Sequence, residues 1–379
     1  MKFATKAIHA GQEPDPTTGA VMTPVYLTST YVQDELGKNK GYEYSRVSNP
    51  TRAALEKNIA ALENCSEGMA FGSGMAAIDA VFRLLVPGDH AIVTNNVYGG
   101  TYRIAKMVLE HYGLQFDFVD TTDMTIVVKA RKPNTKMIFI ETPTNPTMEI
   151  ADLAALAKFA RAHHLISVVD NTFATPYLQR PVESGIDVIV HSVTKYLNGH
   201  SDMLGGMVTT NDHGIAEKLR FSQKAVGGIM SPFDAWLCLR GTKTLAVRMK
   251  QHCESATIIA EWLSTQKKIL RVHYPGLKSH PQYALARRQM RGFGGMISFD
   301  LGSLNSAKKF VKRLGVCSLA ESLGGVETLI SHPASMTHAS VPRAERIKNG
   351  VRDGLLRLSV GIEDVEDLID DLKEALKRV

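Results

Sequence analysis

The stretch VIVHSVTKYLNGH, residues 188–200, begins as a β-branched apolar run and ends in a polar turn that carries a lysine. The first half reads as a buried strand. Similar short runs recur along the chain: HAIVTN, LQFDFV, KMIFIE, LISVVDN, DVIVHS and GGMVTT. Several are separated by helical stretches, such as ADLAALAKFARAHH, which places Leu153, Leu156, Phe159 and Ala160 on one face. Continuous apolar strands alternating with helices predict an α/β fold with a mostly parallel sheet covered on both faces.

Ligands of open parallel sheets bind at the carboxyl ends of the strands, so the strand endings carry the functional question. In FGSGMAA (71–77), Gly-Ser-Gly stands at the expected start of a helix, where free N–H groups and the dipole favour a phosphate. The same triplet is also a common turn. LISVVDNT ends on Asp170, which reads either as a helix cap or as a buried carboxylate. Lys195 follows the next strand, behind Ser192 and Thr194. A lysine held at the mouth of a sheet can lose its proton and attack a carbonyl. Taken together, a lysine for an aldehyde, a carboxylate for a ring nitrogen, and hydroxyls plus a helix start for a phosphate describe a site for pyridoxal phosphate. No G-x-x-x-x-G-K-[ST] loop and no G-x-G-x-x-G fingerprint occurs, which argues against a nucleotide or nicotinamide site.

The bulk properties set the frame. A chain of 379 residues is expected to form two or three domains. A net charge of +6 is spread along the chain, and its densest cluster, ARRQMR (286–291), is too short to track phosphates, so no nucleic-acid partner is expected. No apolar run is long enough to span a bilayer, and the opening MKFATKAIHAGQE lacks the apolar segment of a signal peptide, so a cytoplasmic protein is expected. Cys65, Cys238, Cys253 and Cys317 are too scattered for a disulfide framework or zinc site and read as buried thiols. His332 and His338 have no third ligand in spacing and read as structural, so no metal is expected. Residues 1–49, rich in turn and aromatic residues, read as an arm that rests on a neighbouring subunit. Residues 50–242 form the cofactor domain, and 243–379 a C-terminal domain.

The motifs GYEYSRVSNPTR (41–52), FGSGMAA, VYGGTYR (97–103), ETPTNPT (141–147), VVDNTFATP (168–176), HSVTKYLNGHSD (191–202), AESLGGVETLISHPASMTH (320–338) and LRLSVGIED (356–364) resemble, in order and over nearly the whole chain, the cysteine/methionine-metabolism family of pyridoxal-phosphate enzymes. That resemblance implies the fold-type I transferase architecture, a mostly parallel seven-stranded sheet with a smaller C-terminal α/β domain. It implies that Lys195 holds the cofactor, that Asp170 keeps its ring nitrogen protonated, and that Gly74, Met75, Ser192 and Thr194 bind its phosphate. Tyr44 and Arg46 would reach a neighbour's phosphate, which requires at least a dimer, and the family implies a homotetramer. Tyr98 would stack on the ring and carry a proton, and Asn145, Ser322, Glu327 and Arg357 would fix a sulfur amino acid. In LLRLSV, alternation sets Arg357 and Ser359 opposite Leu356, Leu358 and Val360, so the arginine faces either solvent or a planar anion.

Within the family, SHPQ (279–282) and RLSVGIEDVEDLIDDL are most similar to cystathionine γ-lyases, with γ-synthases next. Gly100 stands where methionine γ-lyases carry cysteine, which lowers that reading. Cystathionine β-lyase also remains, as does a non-catalytic module that only binds the cofactor.

Overall fold

The computed structural model of the chain describes residues 1–339 and 341–379. The larger sheet has seven strands: β1 (Glu67–Phe71), β2 (His90–Thr94), β3 (Gln115–Val119), β4 (Thr135–Glu141), β5 (Ile166–Asp170), β6 (Val188–Ser192) and β7 (Gly206–Thr210). Their spatial order is β1-β7-β6-β5-β4-β2-β3. Strands β2 to β6 pair in parallel, because chain returning through a crossover re-enters the sheet in the same direction. The one departure is β7, which runs antiparallel to both β1 and β6. The loop between β6 and β7 contains Lys195 and no helix, so the chain turns back directly.

Side chains alternate across these strands into two cores. Val168, Val188, Val190 and Val208 meet Ile78, Val81 and Phe82 of the helix Gly74–Phe82 on one face. Ile138, Ile140 and Val169 meet the helix Leu153–Ala162 on the other, through the expected Leu153, Leu156, Phe159 and Ala160. Each such side chain, fully buried, contributes about 1.5–3 kcal/mol, which is why the strand runs are apolar throughout.

The helix Leu245–Ser264 links the two halves. Leu245 and Met249 belong to the first half's core, whereas Ala256, Ile259 and Leu263 belong to the second's. The smaller sheet holds β8 (Arg271–His273), β9 (Met296–Asp300), β10 (Ser318–Leu319), β11 (Leu329–Ser331) and β12 (Leu355–Ser359), in the order β10-β11-β12-β9-β8. It is antiparallel except for the β10–β11 pair. The final helix, Val365–Leu376, covers it with Leu368, Leu372 and Leu376.

The first nine residues of the expected arm pack on their own chain. Phe3–His9 is a helix whose Ala7 is buried, and Phe3 meets the Tyr177 ring edge-on at 5.3 Å. Apolar residues four apart let it dock on its own chain. Beyond it, residues 20–48 are irregular and expose Val21, Leu27, Val32 and Leu36.

The basic cluster is dispersed in ion pairs, Arg288 with Asp152 and Arg291 with Glu183. Cys65, Cys238 and Cys317 are buried thiols, and Cys253 is partly exposed. Among the described residues, no helix is long and apolar enough to cross a membrane.

Candidate active site

A cavity of about 350 Å³ opens at the carboxyl ends of β4, β5 and β6, with Arg357 of the smaller sheet and residues 321–323 also in its lining. Its lining brings together Gly74, Met75, Tyr98, Asn145, Asp170, Ser192, Thr194, Lys195, Ser322 and Arg357, all expected from sequence. They come from segments up to 283 residues apart, from Gly74 to Arg357.

One end is a cradle for an anion. Ser73 caps the helix Gly74–Phe82 by accepting from the Ala76 amide at 3.1 Å. Gly74 and Met75 follow it, with no carbonyl a turn earlier to receive their N–H groups. A Cβ on Gly74 would lie 2.9 Å from Ser192 Cβ, so only glycine lets the helix start approach the end of β6. Ser192 is itself placed by its amide, which donates to Thr172 Oγ1 at 2.9 Å. The Thr194 hydroxyl accepts from the Gly205 amide at 2.9 Å, tying the lysine loop to the start of β7.

Lys195 Nζ donates to Ser322 Oγ at 2.8 Å. Burial, helped by the Arg357 charge and opposed by Glu321, pushes its ammonium down to about 8. A neutral amine is thus accessible near neutrality. Ser322 holds this bond from a left-handed backbone (φ +93°), and its carbonyl accepts from Arg357 Nη2 at 3.0 Å. A non-glycine residue kept there marks strain that the surrounding structure maintains.

Arg357 is buried on β12. Its Nη1 donates to Asn145 Oδ1 at 2.8 Å, and its Nε has no partner among the described residues. Burial lowers its guanidinium to about 10. A buried cation with an unpartnered donor fits an anion that arrives with the substrate, and a carboxylate matches the guanidinium fork. Asn145 is steadied in turn, because His338 Nε2–H donates to its carbonyl at 3.1 Å. His332 similarly donates to the Asp353 carbonyl at 2.9 Å and accepts from Ser335. Both imidazoles are therefore engaged by the protein.

Two carboxylate residues that the sequence reading missed line the cavity. Glu141 is paired in register with Asp170 at the ends of β4 and β5. Burial and the neighbouring Asp170 hold its carboxyl well above the usual range, against the amides of Tyr98 (2.8 Å) and Asn145 (3.1 Å). Burial also raises Asp170, opposed by its bonds from Thr172. Two desolvated carboxyls side by side call for a cation, and the protonated ring nitrogen of pyridoxal phosphate is one. Glu321 is the second, in the lining beside Ser322, where its charge acts on Lys195. Its position next to Ser322 in the quoted motif was the available signal.

Three expected residues lie outside this cavity. Glu327 accepts from Ser201 Oγ and lines an adjoining depression that shares Thr194, Leu204, Glu321 and Ser322 with it. Tyr44 and Arg46 sit on the arm, with Arg46 donating to the Lys224 carbonyl at 2.5 Å and lying 5.5 Å from the Tyr44 ring centre. They do not reach the cavity of their own chain.

A phosphate cradle, a depressed lysine, a carboxyl pair and an open guanidinium at the end of a mostly parallel sheet define a pyridoxal-phosphate enzyme acting on amino acids. The family model described as Cys/Met metabolism PLP-dependent enzyme matches residues 4–377, and the chain belongs to that family, whose cofactor is pyridoxal 5′-phosphate. It is 54% identical to a cystathionine beta-lyase of Coxiella burnetii, over 98% of this chain and 97% of that one. It is 50% identical to a cystathionine gamma-lyase of Bacillus subtilis, over the full length of both. The crystal structure of cystathionine gamma-lyase from Lactobacillus plantarum complexed with L-serine superposes with a TM-score of 0.98, at 48% identity, covering 100% of this chain and 99% of that one.

Proposed function

We propose that the chain is a cystathionine γ-lyase, which converts L-cystathionine and water to L-cysteine, 2-oxobutyrate and ammonia. The observation that supports a cystathionine-cleaving enzyme is that Arg357, with an unpartnered Nε, and Glu321 line the same cavity, and the γ-lyase choice within that class follows the SHPQ and RLSVGIEDVEDLIDDL resemblance. Cystathionine bears an amino acid group at each end, so one carboxylate can meet Arg357 while the distal ammonium meets Glu321. Gly100 supports the choice over methionine γ-lyase. A Cβ there would meet Tyr98 Cε1 at 2.4 Å and Met75 Sδ at 2.6 Å, so a cysteine would displace both.

The residues present fit the cofactor. Gly74, Met75, Ser192 and Thr194 would take its phosphate, Asp170 its ring nitrogen, Tyr98 the exposed side of its ring and Lys195 its aldehyde. Bound pyridoxal phosphate supplies an electron sink that acidifies the Cα proton of an amino acid. Arg357 and Asn145 orient the substrate so that Cα lies toward Lys195. Lys195 would take the Cα proton, and burial, by lowering its ammonium to about 8, brings the neutral amine closer to the working pH. Ser322 accepts from the same amine and directs it. A second proton, removed from Cβ, allows the γ-sulfur to leave as cysteine thiol. Loss of a β-substituent needs only the first abstraction. Tyr44 and Arg46 would complete the phosphate site of a neighbouring subunit in a homotetramer of a cytoplasmic enzyme.

A second reading, cystathionine β-lyase, is favoured by the 54% identity to the Coxiella burnetii enzyme. The test is to supply L-cystathionine and identify the keto acid by mass spectrometry. The γ-lyase reading expects 2-oxobutyrate with cysteine. Pyruvate as the main product makes the enzyme a β-lyase, and neither product points to a γ-synthase using an activated homoserine ester.

A further inference from the structure

The larger sheet carries a second polar cluster, behind the cavity and sharing no residue with its lining. Three of its members are chain neighbours of site residues, and Glu63 and Gln179 bond to those neighbours. His191 precedes Ser192, Asn171 follows Asp170 and Thr142 follows Glu141. Neighbours along a strand point to opposite faces, so this cluster mirrors the site.

Its hub is Glu63, the last residue of the helix Pro50–Glu63. His191 Nε2–H donates to Glu63 Oε1 at 2.6 Å, and Asn171 Nδ2 donates to the same oxygen at 2.8 Å. Asn171 also donates to the Gln179 carbonyl at 2.9 Å. The Gln179 side chain donates in return to Asn171 Oδ1 at 3.1 Å and to the Thr142 carbonyl at 3.1 Å. Glu63, His191 and Asn171 are 0% exposed and Gln179 3%. Glu63 Oε2 and His191 Nδ1 have no partner among the described residues, so the carboxylate acts through Oε1 alone.

An apolar core would cost less here. A buried carboxylate and imidazole lose hydration that their mutual bonds return only in part. What such a network gains is selection of one arrangement, since a slip of one strand past another breaks its bonds, whereas apolar side chains can repack. The strands it joins, β4, β5 and β6, deliver Glu141, Asp170 and the turn from Ser192 to Lys195.

We propose that Glu63, His191, Asn171 and Gln179 are positioning residues that fix the ends of β4, β5 and β6 relative to one another, so that Asp170 and the Lys195 turn engage a single cofactor together. They touch neither cofactor nor substrate. The inference concerns cofactor capture and stands apart from which sulfur substrate is cleaved.

The experiment titrates cofactor-free protein with pyridoxal 5′-phosphate, following the visible band of the bound cofactor, with the thermal midpoint of the cofactor-free protein as the control on folding. Glu63→Leu removes both bonds to Oε1 and is expected to weaken cofactor affinity about tenfold and shift the band, the scale seen when a partner one layer behind a ligand is lost. Glu63→Gln, whose amide oxygen still accepts both bonds, is expected to stay within about threefold of the parent. A folded Glu63→Leu protein with parental affinity and band overturns the proposal, as does a Glu63→Gln protein equally impaired. If Glu63→Leu does not fold, His191→Leu, which removes a single bond, is expected to weaken affinity about fivefold. Unchanged affinity in that variant overturns the proposal too.

Discussion

Arg248 and Arg357 are buried to nearly the same depth, 4% and 2% exposed, and burial holds both guanidiniums down to about 10. The chain uses them in opposite ways. Arg248 gives its donors to its own backbone: the carbonyls of Tyr196 (2.7 Å), Leu197 (3.3 Å) and Gly241 (2.8 Å), with Thr244 Oγ1 at 3.1 Å. It clamps the turn that follows Lys195. Arg357, which lines the cavity, bonds Asn145 and the Ser322 carbonyl and leaves Nε buried without a partner among the described residues. Depth of burial therefore does not separate a structural cation from a binding one. Unfilled donors do.

The largest effect expected within this comparison comes from the group that both arginines serve. Lys195→Ala should lower turnover by more than about 10⁴-fold, since base and attachment point are lost together, while circular dichroism shows an unchanged fold. Arg357→Met should lower kcat/KM about 100-fold by removing charge-assisted bonds to the substrate carboxylate, with a smaller loss of stability than Arg248→Met because it strands two acceptors and not three. Arg248→Met should do the reverse. It strands three carbonyls and should cost about 3 kcal/mol in denaturant unfolding while leaving the substrate KM of the folded enzyme near the parental value. If both variants lose stability alike, the distinction drawn here fails.

A smaller effect is set by acid. Burial holds His252, His273, His280 and His338 down to about 4, against 6.5 for exposed histidine. Between those values the unfolded chain binds more protons than the folded one. Stability should therefore fall as pH drops from about 6.5 toward 4, measurable as a declining thermal midpoint. His252, whose Nδ1–H donates to the Val360 carbonyl at 2.7 Å, is the contributor nearest Arg248 by sequence.

Much of the site was legible because it lies at strand ends and helix starts, where local signals are strong. Asp170 closes an apolar run, Ser73 and Gly74 open a helix, and Lys195 follows a buried strand. Other features depend on contacts that no local pattern encodes. Glu141 ends KMIFIE as any polar residue would, and its meaning appears only when β4 lies in register with Asp170. Arg248 sits in a helix sequence, LAVRMKQ, where an arginine ordinarily faces water, and Glu63 reads as a routine last-turn carboxylate. The antiparallel β7 was likewise hidden, since GGMVTT carries the same apolar pattern as its parallel neighbours. Residues 1–49 read as an arm, yet Phe3–His9 packs on the chain's own core because Phe3 and Ala7 share a face.

The most direct test is borohydride reduction of the holoenzyme followed by peptide mass mapping. The site described here predicts that the reduced cofactor is fixed on the peptide containing Lys195 and on no other lysine. Recovery of the cofactor on a different lysine, or no covalent cofactor at all, would contradict it.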